Sequence, residues 1–421
     1  MKILALLLWL APSAGAAQWT LDTYTRELFS VSYDLKRSEE SLQVSENSYL
    51  YSLASFWVPS VTLSAANTPY SSWNSPRLNF ANSRTSAGLS ASLNLFNNFR
   101  DKLDVDSSRL SRDSSEVSLF TEKQTLTVTA LNNYYEVLRK KQLVRVAQKS
   151  LASYEEQYAK AQQYYKEGLK SYSDVLKSEL NYRSSQLSEM SAEESCRTSL
   201  MSFNTAIYRE PEEAADLAEV SGQPDLTMPD LQADLRYAME NRPDLRQAGI
   251  ALEQKRISRK LARIGWWPDF SVDAAYSRQG LLGLGITGSP VYSVGASLTL
   301  PIGLGTLSDR NANISAQIGL DQAERAMLEA VLAAKKEIIT AWHSRAVALK
   351  SYEVARMSAD ISAQNLAIVK ERYGQGRASM IELDDAQSDD QSSQTSLANS
   401  FFDLLLNRLE YDRTVGRQVW H

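Results

Sequence analysis

Few side chains in this sequence could do covalent or metal chemistry. It holds two histidines, His343 and His421, and one cysteine, Cys196. Two imidazoles cannot by themselves make a histidine-rich metal centre, and one thiol cannot form a disulfide within the chain. The run Gly280 to Gly288 is as glycine-rich as a phosphate loop, but the Lys-Ser/Thr ending and the following helix are missing. No nucleophile motif or metal-ligand spacing occurs, so the expectation is a protein without catalysis, metal or cofactor. What remains is charge. One dense group is Glu382, Asp384 and Asp385, with Asp389 and Asp390 further along. On residue types alone these acids read as the solvated face of a helix. A formal charge of −5 over 421 residues gives no sign of a nucleic-acid partner.

The elements that position these acids are long. Arg100 to Glu167 contains neither Pro nor Gly and is rich in good helix formers. It predicts a rod of roughly 100 Å at 1.5 Å per residue. Val144, Ala147, Leu151, Tyr154, Tyr158, Ala161 and Tyr165 recur three and four apart, the seam of a coiled coil. The rod has a twin: Gly168 recurs as Gly376, an offset of 376 − 168 = 208. The seam recurs as Tyr352, Ala355, Ala359, Ser362, Leu366, Val369 and Tyr373. Ala91 to Leu95 recurs as Ala296 to Leu300, Pro59 as Pro268, and Asp34-Leu35 as Asp244-Leu245, with offsets that drift by only a few residues. The chain reads as an internal duplication. Residues 1–17 form a signal peptide, 18–210 the first repeat, 211–229 a linker, and 230–421 the second repeat.

The signal peptide is read from Lys2, the short apolar core Ile3 to Leu10, and the small residues Ala14-Gly15-Ala16-Ala17. No later stretch is apolar for long enough to make a spanning helix. Each repeat opens on a helix, Trp19 to Val58 and Leu231 to Gly265, the second with a turn at Asn241-Arg242-Pro243. Two alternating strands follow. In the first repeat these are Val61 to Ala66 and Ser86 to Leu95, separated by a polar loop, Asn67 to Arg84. In the second they are Phe270 to Ser277 and Tyr292 to Leu300. One face of each strand is apolar and the other is Ser-rich. Aromatics gather near the strand ends, among them Trp57, Tyr70, Trp73, Trp266, Trp267, Tyr276 and Tyr292, as at a membrane–water interface. An open four-stranded sheet cannot span a bilayer, and single-chain barrels start at about eight strands. Three chains together would close twelve strands. The fold class is therefore mixed and mainly α: long antiparallel coiled-coil helices, with four amphipathic strands per chain completing a 12-stranded trimeric β-barrel.

In order and spacing the chain resembles the TolC-type outer-membrane efflux proteins, the outer-membrane factors. The resemblance rests on Asn241-Arg242-Pro243-Asp244-Leu245, on Trp267-Pro268 entering a strand, and on Ser297-Leu298-Thr299-Leu300-Pro301 entering a rod. It rests also on the hairpin tips, Tyr165 to Leu169 with Ser173 to Leu176, and Tyr373 to Gly376 with Ile381 to Ala386. It covers nearly the whole mature chain. The family's usual Gly pair is absent from Phe96-Asn97-Asn98-Phe99-Arg100, and Ser32-Tyr33 stands where the second repeat has Arg242-Pro243.

The resemblance implies a homotrimer in the bacterial outer membrane, in contact with its lipid, with its helical part in the periplasm. It implies an exit duct for drugs, metal ions or secreted polypeptides. The partners would be a periplasmic adaptor (membrane fusion) protein and an inner-membrane pump driven by protons or ATP. Glu382 and Asp385 match positions where the family carries inward-facing acids at a periplasmic gate. Asp174 and Tyr373 match residues that hold the coils shut. The basic partner expected at Ala378 is missing, and Arg377 could replace it only if the turn shifted. Gly168, Leu169, Gly376 and Arg377 match the tips where adaptors dock. The alternative from another class is a structural coiled-coil envelope protein without transport; the paired amphipathic strands in both repeats argue against it.

Overall fold

The computed structural model describes residues 18–55, 57–72, 75–97, 99–219, 224–264, 268–281, 288–300 and 304–420. The expected signal peptide lies outside them, as do Trp73, Trp266 and Trp267. The order is α1 (Leu21–Val31), α2 (Tyr33–Ser55), β1 (Ser60–Ser72), β2 (Ser75–Phe96), α3 (Arg100–Lys166) and α4 (Tyr172–Ala206). The second repeat follows the same order: α5 (Leu231–Asn241), α6 (Pro243–Ile264), β3 (Asp269–Leu281), β4 (Val291–Thr299), α7 (Leu304–Gly374) and α8 (Met380–Val415). α3 and α7 run for 67 and 71 residues without interruption.

The predicted single helix Trp19 to Val58 is two helices, broken at Ser32. The second repeat breaks at Arg242, before Pro243. Ser32 needs no proline, because it caps both sides of the break. Its N–H donates to Leu28 O at 3.0 Å, ending α1, and its Oγ accepts from Leu35 N at 3.2 Å, starting α2.

The chain divides into two compact units. One comprises residues up to Lys36, Thr121–Arg242 and Ala333 onward; the other comprises Arg37–Phe120 and Pro243–Leu332. The first unit holds the main core. Tyr24 and Phe203 stack at 4.0 Å between centroids, packed with Leu28, Tyr134, Val137, Leu138, Ile207, Leu217 and Phe402. The repeat-related cluster joins Ala238, Ile338, Tyr411 and Val415. The linker, which forms no helix among its described residues, is held near its middle and at its C-terminal end by repeat-related aromatics. Tyr134 Oη donates to Ala218 O at 2.7 Å, and Trp342 Nε1 donates to Pro229 O at 3.1 Å.

The second unit holds one antiparallel sheet in the order β1-β2-β3-β4, so the two strand pairs join through β2 and β3. The residues expected to form a polar loop, Asn67 to Arg84, instead continue the ladder: Asn67 pairs with Thr85 and Ser72 with Ser75. Alternation had marked the end of the apolar face. The strands run on because backbone pairing does not depend on what the side chains face.

Register turns the alternation of single strands into two continuous faces. Leu63, Leu89, Tyr276 and Tyr292 form one row across all four strands, and Val61, Ala91, Ala274 and Val294 form the next. This apolar face is bare: Leu63 is 79% exposed and Val294 82%. The opposite face carries Ser60, Ser92, Asp273 and Gly295 in one row, and Thr62, Ser90, Ala275 and Ser293 in the next. Ser60 and Ser92 hydroxyls meet at 2.7 Å, as do those of Ser271 and Ser297. Among the described residues no helix is long and apolar enough to cross a membrane.

Before α3, Phe99 takes the backbone conformation that a glycine would make easy. Its φ is +64°, which for a bulky residue is strained by about 1–2 kcal/mol. Asn97 O accepts from Arg100 N at 3.0 Å, and the Phe99 ring meets Phe96 edge-on at 5.9 Å.

Candidate functional site

The α3–α4 and α7–α8 hairpins end in turns of one design. Gly168 and Gly376 have φ of +74° and +72°. Gly168 N donates to Tyr165 O at 3.0 Å and Leu169 N to Tyr164 O at 2.8 Å. Gly376 N donates to Tyr373 O at 3.0 Å and Arg377 N to Arg372 O at 2.8 Å. These paired bonds close a Schellman turn. A Cβ at either glycine would meet nothing within 4 Å, so backbone conformation, not space, calls for glycine. Three residues on, a serine caps the returning helix. Ser171 Oγ accepts from Asp174 N at 3.3 Å, and Ser379 Oγ from Glu382 N at 3.2 Å. Gly168, Leu169, Gly376 and Arg377 are all exposed at the turns.

The charged side chains behave differently. The Asp174 carboxylate turns back to Ser171, accepting from its N at 3.2 Å and its Oγ at 3.1 Å, and completes a capping box. Glu382 occupies the repeat-related position but stays exposed, and so does Asp385. Among the described residues neither carboxylate has a hydrogen-bond or ion-pair partner. Being three apart, they share one face of α8. Asp384 faces the other way: Asn181 Nδ2 donates to it at 2.7 Å, and Lys177 Nζ lies 3.4 Å from it. The Tyr154 hydroxyl also faces Asp384, and its pKa is pushed up to about 12, first by burial and then by that carboxylate. Further along α8, Asp389 is exposed but Asp390 is buried, so the two do not form one solvated face.

Beneath the second turn lies an apolar cluster of Leu366, Val369, Tyr373, Ala378, Met380, Leu383 and Ala386. Tyr373 is 3% exposed, and its hydroxyl has no partner among the described residues. Burial raises its pKa, and the charge of Asp174 raises it further. The two residues expected to form a lock are therefore neighbours, but Asp174 spends its hydrogen bonds on Ser171. The turn is not shifted, and Arg377 points to solvent. The base that meets Tyr373 comes instead from the first tip: Lys170 Nζ sits 4.9 Å from its ring centroid, a cation–π contact. The repeat offset already pairs Lys170 with Ala378, a signal that motif matching passed over.

Above the tips, the expected seam holds on most of α7, where Ala355, Ala359, Ser362, Leu366, Val369 and Tyr373 are buried and Tyr352 is half-buried. On α3 it moves. Ala147, Tyr154 and Ala161 are buried as expected, but Ser150 and Gln157 join them in place of Leu151 and Tyr158, Val144 is half-buried and Tyr165 is exposed. α3 has neighbours on two sides. Tyr158 stacks on Tyr182 of α4 at 5.8 Å, while Ser150 and Ser153 donate to Gln391 and Gln387 of α8 at 2.7 and 2.8 Å.

The outer membrane efflux protein family matches residues 25–207 and 235–405, one stretch in each repeat. The chain belongs to that family. Its fold is shared with solved outer-membrane channels. The CmeC channel of Campylobacter jejuni is 16% identical, with a TM-score of 0.80 over 94% of this chain and 85% of that one. The MtrE channel of Neisseria gonorrhoeae, in its open state, is 19% identical, with a TM-score of 0.78 over 95% and 89%. The VceC protein of Vibrio cholerae is 16% identical, with a TM-score of 0.79 over 94% and 96%. No curated protein matches the chain.

Proposed function

We propose that three copies of this chain close their sheets into a twelve-stranded barrel and act as the outer-membrane exit duct of a tripartite export system. The observation that carries this reading is the two-faced sheet. Its apolar rows suit lipid, and its serine rows suit a water-filled lumen. β1 and β4 are its edges, and a sheet with open edges cannot stand in a bilayer. Joining β4 of one copy to β1 of the next removes every edge.

The helical hairpins then serve as the periplasmic passage, and their tips as its gate. Glu382 and Asp385 are the gate acids. Three copies bring six carboxylates to one constriction, where their field attracts cations and can hold a multivalent one. Asp174 and Tyr373 lie at the contact between the two tips and steady the closed state. Gly168, Leu169, Gly376 and Arg377 are the ends offered to a periplasmic adaptor, which links the duct to a pump in the inner membrane. The cargo is set by that pump.

Cross-linking in mild detergent tests the assembly and should trap three chains; a folded monomer that persists in detergent overturns it. Strand faces give the sharper test. Val294→Asp puts a charge against lipid near the middle of the apolar face and should cost up to about 2 kcal/mol, whereas Ser293→Asp should assemble and conduct. Equal behaviour of the two variants would reverse the inside–outside assignment.

A further inference from the structure

The apolar face of the sheet carries one feature that lipid tails do not explain. Along β3 that face presents Phe270, Val272, Ala274 and Tyr276, and the next residue on it is Arg278. The register between Arg84 and Asn94 of β2 and its partners in β3 contains no bulge, and Arg278 lies directly opposite Ala87 of the apolar set. Its face is therefore fixed by the same alternation that places Leu89 opposite Tyr276.

The position along the face is also defined. Tyr276 and Tyr292 stand side by side, with ring centroids 5.1 Å apart. At the other end of the same face Phe270 pairs with Phe96, which touches Phe99. These groups mark two aromatic girdles. Phe270 to Arg278 is eight residues; at about 3.4 Å each, in a strand tilted by about 40°, they rise roughly 20 Å. Arg278 thus sits just beyond the tyrosine girdle, at the end remote from the helices, where the outer leaflet's headgroups begin.

The side chain is exposed and held at its base. Nε donates to Gly288 O at 2.8 Å. Gly288 N in turn donates to Gln279 O at 2.7 Å, and a Cβ at Gly288 would fall 2.2 Å from that oxygen, so glycine is required there. A guanidinium has further N–H donors in a fixed fork that matches phosphate oxygens. Among the described residues no carboxylate pairs with it.

We propose that Arg278, with the Tyr276–Tyr292 pair as its apolar base, is a contact site for a phosphorylated lipid headgroup of the outer leaflet. The proposal rests on the reading of the apolar face as lipid-facing. Each protomer provides one such site, and a trimer three.

The test uses the full-length trimer, purified in mild detergent and incubated with bisphosphorylated lipid A or with the same lipid dephosphorylated. Native mass spectrometry reads the lipid retained. One arginine near a membrane surface should favour the phosphorylated form by about fivefold. Arg278→Gln should bring the preference close to one, Arg278→Lys should keep part of it, and excess inorganic phosphate should displace nothing. An unchanged preference in Arg278→Gln overturns the site. So does displacement by inorganic phosphate, which would make it a site for soluble anions. Conductance of the same samples in planar bilayers separates the two readings. If wild type and variant conduct alike while the preference is unchanged, the lipid site alone fails. If the wild type neither inserts nor conducts, the membrane reading itself fails.

Discussion

The two hairpin tips share a backbone and differ in what they do with their charges. Both turn on a glycine with positive φ and restart on a serine cap, with hydrogen bonds that agree within 0.1 Å. At the offset of the repeat, Lys170 stands opposite Ala378, Asp174 opposite Glu382 and Lys177 opposite Asp385. The first tip uses its charges internally: Asp174 in its capping box, Lys177 on Asp384, Lys170 on the Tyr373 ring. The second tip leaves Glu382 and Asp385 exposed without partners among the described residues. Turn chemistry thus fixes the path of the backbone, and duplication leaves each charged position free to diverge. The lesson is a division of labour, with one tip bracing and the other presenting charge.

The largest effect should come from the presented charges. Glu382→Gln with Asp385→Asn should weaken block by divalent or trivalent cations from the periplasmic side by about tenfold or more in planar bilayers, and lower cation selectivity. Asp174→Asn with Lys177→Gln, at the repeat-related positions, should change block by less than about twofold. Asp389→Asn is the control; Asp390 is unsuitable because it is buried. If the first pair leaves block intact, or the control removes it equally, these acids are only a solvated helix face.

The shared backbone predicts equal costs. Gly168→Ala and Gly376→Ala should each destabilise their turn by about 1 kcal/mol, since neither added methyl meets a neighbour and only φ opposes it. Hydrogen exchange at the tip amides would read this. Costs that differ severalfold would show that the turns are held unequally. Smaller still is the effect of Tyr373→Phe. The lost hydroxyl is buried without a partner among the described residues, so the tip should be unchanged or gain up to about 1 kcal/mol. A loss of stability would mean that the hydroxyl is bonded in the assembly.

At neutral pH the smallest effect belongs to Tyr154, whose response is confined to alkaline pH. Tyr154 in the folded chain titrates near 12, above the ordinary tyrosine value of 10.0. Below pH 10 both folded and unfolded states keep the proton, and stability is flat. Between about 10 and 12 only the unfolded state loses it, so stability falls as pH rises. Tyr373 adds to the same trend. Melting temperatures at neutral and alkaline pH should show a shallower alkaline decline in Tyr154→Phe; an unchanged decline would place the titration elsewhere.

Much of this was legible in the chain because it is local. A run without Pro or Gly gave α3 to within a residue, strict alternation gave β4 and the second half of β2, and Gly168 and Gly376 marked both turns. On residue types alone the candidate acids were legible only as a group, and the family resemblance singled out Glu382 and Asp385. Helical geometry separates Glu382 and Asp385 from Asp384, but which face meets α4 was decided by packing. The break at Ser32 was missed because a serine with two capping bonds does the work of a proline without its signature.

The sequence by itself determined the duplication, the order of the main elements and the two-faced character of each strand, since all three depend on spacing along the chain. Only the tertiary structure decided which segments meet. Strand register aligned four separate alternations into one bare apolar face and one hydroxyl face. Packing on two sides moved the α3 seam onto Ser150 and Gln157. The hairpins brought Lys170 to Tyr373 from the other repeat. A periodic pattern names the face a helix or strand will bury; when neighbours lie on two sides, or come from some 200 residues away, the identity of the partner is a property of the fold.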